Sequence, residues 1–119
     1  MIVGLESRGF LIGPLLAVKL QLPFVAVRKA GKLPGPVEKL AYELEYGGDT
    51  FEMQKEAISA SAKCVVIDDL LATGGSLKTS IRLIDRCGAT VVKSLVIIEL
   101  AALGGRQNVG TPVFALITY

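Results

Sequence analysis

At 119 residues the chain is long enough for one domain, residues 1–119, and too short for two. Half of it, 51%, is hydrophobic, so a sizeable core is available, while 13 Lys+Arg against 11 Asp+Glu leave a net charge of only +2. That balance argues against a protein that grips nucleic acid through bulk electrostatics. The absence of histidine excludes His-ligated metals and Ser/His or Cys/His couples, and no apolar run approaches the about 20 residues that span a bilayer.

In chain order, Met1–Leu5 is an apolar run with neither a charged leader region nor a small-residue cleavage site, so a soluble, cytoplasmic chain is expected. Phe10–Leu22 follows with Leu11, Leu15, Leu16 and Val18 at helical spacing, although Pro14 predicts a late start or a bend. Phe24–Val27 reads as a second buried strand. Residues 30–62 then break the rhythm as an inserted, flexible loop or hairpin. Gly31, Pro34, Gly35 and Pro36 turn the chain, and the alternating stretches Ala41–Glu45 and Thr50–Gln54 flank a turn at Tyr46-Gly47-Gly48-Asp49. An insertion of this size is expected to act as a lid over a site. Lys55–Ala62 has no firm pattern.

Cys64–Ile67 predicts a further buried strand. A helix carries Leu77, Ile81 and Ile84 at i, i+4, i+7, with Gly88 as its stop, and the strands Val91–Glu99 and Val113–Ile117 follow. Strand, helix, strand, repeated, implies right-handed crossovers: an α/β fold with a parallel β-sheet flanked by helices. Cys64 and Cys87 are expected to be reduced, buried thiols.

The chemistry concentrates in Cys64-Val65-Val66-Ile67-Asp68-Asp69-Leu70-Leu71-Ala72-Thr73-Gly74-Gly75-Ser76. A buried strand there ends in two carboxylates, passes through a small-residue turn and enters a helix. Ligands of open α/β sheets bind beyond the carboxyl ends of the strands, where this turn falls. Thr73, Gly74, Gly75 and Ser76 can aim successive N–H groups and two hydroxyls at one phosphate, aided by the helix N-terminus. Asp68 and Asp69 suit vicinal hydroxyls of a ribose. A nucleotide P-loop is not met, because Leu77 precedes Lys78-Thr79, and G-x-G-x-x-G does not occur. A plain strand–helix turn is the bland alternative, but paired carboxylates at a buried strand end demand partners. Arg28, Lys29 and Lys32, clustered beside a Gly/Pro-rich stretch, suggest a local anion site or a solvated basic face.

The run V-V-I-D-D-L-L-A-T-G-G-S resembles the phosphoribosyl pyrophosphate motif of the type I phosphoribosyltransferases, in the form seen in the adenine branch, with Ser76 where the family often has Thr. Gly4-Leu5-Glu6-Ser7-Arg8-Gly9-Phe10 resembles the family's pyrophosphate loop. Arg28-Lys29-Ala30-Gly31-Lys32-Leu33-Pro34-Gly35 resembles its basic segment, and Tyr42-Glu43-Leu44-Glu45-Tyr46-Gly47 its flexible catalytic loop. The four agree in order and spacing over essentially the whole chain.

The resemblance implies transfer of ribose 5-phosphate from phosphoribosyl pyrophosphate to adenine, giving AMP and pyrophosphate in purine salvage. Asp68, Asp69, Leu71, Ala72, Thr73, Gly74, Gly75 and Ser76 would hold the ribose and 5-phosphate. Ser7, Arg8, Arg28, Lys29 and Lys32 would hold pyrophosphate, with Arg28 reaching across the interface of a homodimer. Glu45 would handle a proton at the base, with Tyr46 shielding the site. Glu99, at a strand end, is a candidate for the base-pocket lining, though no motif fixes its role. Mg²⁺ would be bound through phosphoribosyl pyrophosphate and not by direct protein ligation. No nucleic acid or membrane partner is implied.

Family members also carry a portion ahead of the position matching Met1, including part of the base-recognition half. The expectation is therefore of a chain lacking that segment, one that binds phosphoribosyl pyrophosphate, turns over adenine poorly and self-associates. A non-catalytic phosphoribosyl-pyrophosphate-binding module and a transferase for another purine base are the alternatives.

Overall fold

The computed structural model describes residues 1–44 and 47–119, with the side chains of 43–47 set aside. Seven strands form one sheet: β1 Ile2–Leu5, β2 Phe24–Lys29, β3 Val37–Leu44, β4 Gly47–Gln54, β5 Lys63–Leu71, β6 Thr90–Glu99 and β7 Val113–Thr118. Their order across the sheet is β3-β4-β2-β1-β5-β6-β7. The β2–β1–β5–β6–β7 part is parallel, whereas β3 and β4 form an antiparallel hairpin that joins the edge of β2. Helix α1 (Gly9–Leu20) links β1 to β2, α2 (Gly75–Arg86) links β5 to β6, and the short α3 (Gly105–Val109) precedes β7.

The five predicted parallel strands all form. The strand at Cys64 is longer than expected: it continues through Asp68 and Asp69 to Leu71, paired to β6 as far as Leu71↔Glu99. Its other neighbour stops earlier, because the last β1–β5 pair is Gly4↔Ile67. From Asp68 onward one edge of β5 is therefore free of a ladder partner. The chain also changes direction across the sheet here, running from β1 toward β2 on one side and from β5 toward β6 and β7 on the other. This is the topological switch point at which open α/β sheets form their crevice.

The hairpin strands begin earlier than the alternation indicates, β3 by four residues and β4 by three, and keep register down to Leu44↔Gly47. Gly47, Gly48 and Asp49, expected in the turn, thus belong to β4.

Two helices of equal length pack by different rules. Helix α2 buries Leu77, Ile81 and Ile84, as its spacing predicts. Helix α1 keeps Pro14 inside it and turns Gly9, Gly13 and Ala17 to the sheet, while Leu11, Leu15 and Val18 are 71%, 73% and 79% exposed. The small residues win the inner face because the helix lies so close: a Cβ on Gly9 would stand 2.6 Å from the Ile67 carbonyl oxygen. Strand β7 is also not covered on both faces, and Phe114 and Leu116 are exposed. The main core instead lies between the sheet and α2, built on Val3, Val27, Met53, Val66, Leu77, Leu83 and Ile84. Cys64 is buried and Cys87 half-buried, both as free thiols. No helix among the described residues is long and apolar enough to cross a membrane.

Candidate active site at the β1–β5 crevice

A cleft of about 540 Å³ opens at the carboxyl ends of β1 and β5. Ser7, Arg8, Lys29, Lys32, Asp68, Asp69 and every residue from Leu71 to Ser76 line it, so three segments far apart in sequence meet in one place. Arg28 is not among the lining residues. Its guanidinium turns to Glu6, at 3.3 and 3.4 Å, and lies 6.0 Å from the centre of the Phe10 ring. Glu45 and Tyr46, expected as catalytic residues, lie outside the described residues.

The turn after β5 is built by backbone and packing. Gly74 caps α2 at φ +85°, a left-handed conformation that disfavours any side chain, and an added Cβ would stand 2.5 Å from the Gly105 carbonyl oxygen. Gly75 lies beneath the Tyr42 ring, where an added Cβ would meet ring atoms at 2.3 to 2.6 Å. Asn108 donates from Nδ2 to the Thr73 carbonyl at 3.0 Å, so α3 braces the turn from behind. No side chain caps α2, which leaves its first N–H groups to the cleft.

Charge governs the opposite wall. The Glu6 carboxylate accepts the Lys29 N–H at 2.9 Å, both Arg28 contacts, and a bond from Lys32 Nζ. Burial alone would raise its pKa, but these donors outweigh it and bring the group down to about 2. Arg8 pairs with Asp69, and Lys29 Nζ pairs with Asp49 at 2.9 Å. The cations of this wall are thus matched by carboxylates.

Asp68 behaves in the opposite way. Burial pushes its carboxyl up to about 7, reinforced by the neighbouring Asp69 charge and only partly offset by the Asp69 N–H bond at 2.9 Å and by Arg8. Such a group is poised to accept from a ligand hydroxyl, which would favour its ionised form.

Glu99 does not line the cleft. It is 6% exposed and held by Arg106, whose Nε donates at 3.0 Å and whose other nitrogens bind Glu99 and the Val113 carbonyl. The strand end that carries Glu99 is thereby tied to α3 through Arg106. Two other residues enter the site without having been singled out. Glu6 sits inside the motif that includes Ser7 and Arg8, and Tyr42 shares one face of β3 with Leu40. Alternation along β3 marks Tyr42 as inward-facing, but nothing local says that its ring reaches Gly75.

Comparison with known proteins agrees with this geometry. The family described as phosphoribosyl transferase domain matches residues 1–112. Adenine phosphoribosyltransferase of Debaryomyces hansenii is 49% identical over 117 residues, covering 98% of this chain and 63% of that protein. The solved structure from Saccharomyces cerevisiae, complexed with an imino-altritol bisphosphate and adenine, superposes with a TM-score of 0.94 at 50% identity, covering 97% of this chain and 65% of that one. The structure from Trypanosoma brucei, in complex with AMP, pyrophosphate and ribose-5-phosphate, gives 0.91 at 35% identity, covering 98% and 55%. The chain spans between 55% and 65% of the length of these relatives. Its motifs in order, its sheet topology and the cleft at the switch point place it plainly: the chain belongs to the phosphoribosyltransferase family, on the adenine phosphoribosyltransferase branch.

Proposed function

We propose that the chain transfers ribose 5-phosphate from phosphoribosyl pyrophosphate to adenine, forming AMP and releasing pyrophosphate. The observation that carries this reading is the convergence in one cleft of a phosphate-shaped turn, Thr73–Ser76, two adjacent carboxyls, Asp68 and Asp69, and a wall of cations. The relatives solved with adenine, and with AMP, pyrophosphate and ribose-5-phosphate, support the same substrate class.

In the proposed reaction N9 of adenine forms a bond to C1 of the ribose as the bond from C1 to the pyrophosphate oxygen breaks. The electron pair leaves with pyrophosphate, and the N9 proton passes to Glu45. Positive charge grows on the sugar and negative charge on the leaving group, so the site works by positioning and electrostatics and needs no nucleophile. Thr73, Ser76 and the backbone N–H groups between them hold the 5-phosphate. Asp68 and Asp69 accept the ribose hydroxyls, and Ser7, Arg8, Lys29 and Lys32 steady the departing pyrophosphate, with Arg28 behind them on Glu6. From residues 30–62, Lys32 and Tyr42 reach the cleft, and Tyr46 shields the base in this scheme.

Mg²⁺ fits a cleft with carboxylate oxygens on one side and phosphate ligands expected on the other. Among the described residues no three carboxylate, thiolate or imidazole groups converge, so substrate oxygens would supply its ligands, with Asp68 and Asp69 holding the ribose hydroxyls beside it. When bound it supplies charge neutralisation of the pyrophosphate. A homodimer in the cytoplasm is the setting we assign, and the outward Leu11, Leu15 and Val18 of α1 support self-association.

The test is AMP formation from adenine and phosphoribosyl pyrophosphate with Mg²⁺, with hypoxanthine and guanine as competitors. AMP formed in preference to the other nucleotides supports the reading. Binding of phosphoribosyl pyrophosphate without turnover would leave a binding module, and preference for another base would reassign the substrate.

A further inference from the structure

Glu52 is a charged residue with 1% exposure in the middle of β4, and the proposed reaction gives it no part. Its carboxylate accepts three successive backbone N–H groups: Gly31 at 3.0 Å, Lys32 at 2.9 Å and Leu33 at 2.7 Å. Gly31, at φ +89°, lets these donors converge on one point, an anion cradle filled by the protein's own side chain. In the sheet Glu52 stands opposite Arg28 on one side and Lys39 on the other. Lys39 Nζ approaches it at 3.8 Å, while Arg28 Nη1 reaches the Lys32 carbonyl at 3.5 Å. The backbone of Lys32 is therefore gripped twice, its N–H by Glu52 and its carbonyl by Arg28, and its side chain is delivered to Glu6 in the cleft. Burial works against the charge on Glu52, but the three N–H bonds and Lys39 prevail and keep its pKa below the ordinary carboxylate value.

We infer that Glu52 is a positioning residue: by holding residues 31–33 as an anion nest it sets Lys32 Nζ at the pyrophosphate side of the cleft. The assignment of that side to pyrophosphate rests on the proposed function, whereas the placement of Lys32 does not. Glu52 makes no contact with substrate in this scheme. It acts through backbone groups fixed before any ligand arrives, which is the form of preorganisation that keeps binding energy from being lost to loop ordering.

The test uses Glu52→Gln, which keeps the packing and one acceptor oxygen, alongside Glu52→Ala, Lys32→Ala and the Glu52→Gln/Lys32→Ala double variant. In the ligand-free protein, acetylation of Lys32 by acetic anhydride, read by mass spectrometry against Lys63, should rise at least threefold in Glu52→Gln as the ammonium leaves Glu6. Amide exchange at Gly31, Lys32 and Leu33 should accelerate with it. Titration with phosphoribosyl pyrophosphate and Mg²⁺ should weaken about tenfold, consistent with loss of a charge-assisted contact. AMP, which carries no pyrophosphate, should lose less than twofold. The double variant should bind phosphoribosyl pyrophosphate no worse than Lys32→Ala alone. Equal losses for AMP and phosphoribosyl pyrophosphate would reduce Glu52 to a fold residue, and additive losses in the double variant would sever it from Lys32. Unchanged acetylation of Lys32 would overturn the inference outright. That labelling needs no ligand, so it still decides the matter if the wild-type chain binds neither nucleotide and the functional reading fails; if Glu52→Ala does not fold, Glu52→Gln carries the test.

Discussion

The two walls of the cleft are made differently. The Thr73–Ser76 wall is a backbone construction, with Gly74 wedged against Gly105, Gly75 under Tyr42 and Thr73 braced by Asn108. The opposing wall is a charge construction in which Glu6, Asp69 and Asp49 match Arg28, Lys32, Arg8 and Lys29. In the proposed reaction a phosphate would meet donors already aimed at it on the first wall, and on the second an incoming pyrophosphate would share or replace carboxylates. Steric exclusion would then set the geometry of one half, and charge balance the affinity of the other.

The backbone wall should fail first and hardest. Gly74→Ala places a side chain at positive φ and against a backbone oxygen, so neither partner can give way. A loss of about 3 kcal/mol of stability is expected from left-handed strain plus overpacking, measured by urea unfolding, together with loss of competition by ribose 5-phosphate. Stability within 1 kcal/mol of wild type would show the turn to be looser than its packing implies.

Next in size is Asp69→Asn, which removes a carboxylate from both the ribose side and Arg8. Binding of phosphoribosyl pyrophosphate with Mg²⁺ should weaken by about 1.5–3 kcal/mol, and Asp68→Asn should do less. Calorimetric titration decides, and unchanged affinity in both variants removes the ribose assignment.

Titration separates the walls by sign. Glu6 lies at about 2 against an ordinary 4.5, so its contribution is present above pH 4.5 and is lost as pH falls toward 2. Asp68 lies at about 7 against an ordinary 3.8, so the folded state favours its protonated form and stability declines as pH rises from about 4 to 7. Chemical unfolding across pH 3–8 should show both limbs. Glu6→Gln should flatten the acid limb and Asp68→Asn the other, each by on the order of 1 kcal/mol. A Glu6→Gln profile that matches wild type below pH 4 would remove the charge balance as the basis of that wall. Smallest is Asn108→Ala, which costs about 0.5–1 kcal/mol of stability through one exposed bond to Thr73 and weakens ribose 5-phosphate without touching pyrophosphate. Equal weakening of the two would place Asn108 outside the phosphate wall.

Much of this was legible from residues alone, because periodicity and local motifs report local structure. The five parallel strands, the inner face of α2 and most of the cleft residues follow from apolar runs and from one strand–turn–helix segment. What escaped depends on distance between elements. In α1 the leucines match a helical period, yet the helix sits so near β5 that Gly9, Gly13 and Ala17 take its buried face, with Ile12 and Leu16 only partly covered. Glu52 drew no role within the alternating stretch Thr50–Gln54, and only the fold of residues 31–33 supplies its three donors. Glu99 was read from its place at a strand end, and it is the nearby Arg106 that fixes where it turns. Charge pairing of that kind is written in tertiary proximity and not in spacing.

The Tyr42 ring has an optical consequence. The chain holds three tyrosines and no tryptophan, so its ultraviolet emission is tyrosine emission. One of these rings stacks on Phe51, with centroids 5.9 Å apart, and stands at the mouth of the phosphate turn. A phosphate oxygen arriving beside that phenol is a proton acceptor, and excited phenols are quenched by such neighbours. Phosphate binding in the cleft is therefore expected to quench the native fluorescence of the protein, without a label, and Tyr42→Phe is the control expected to silence that change.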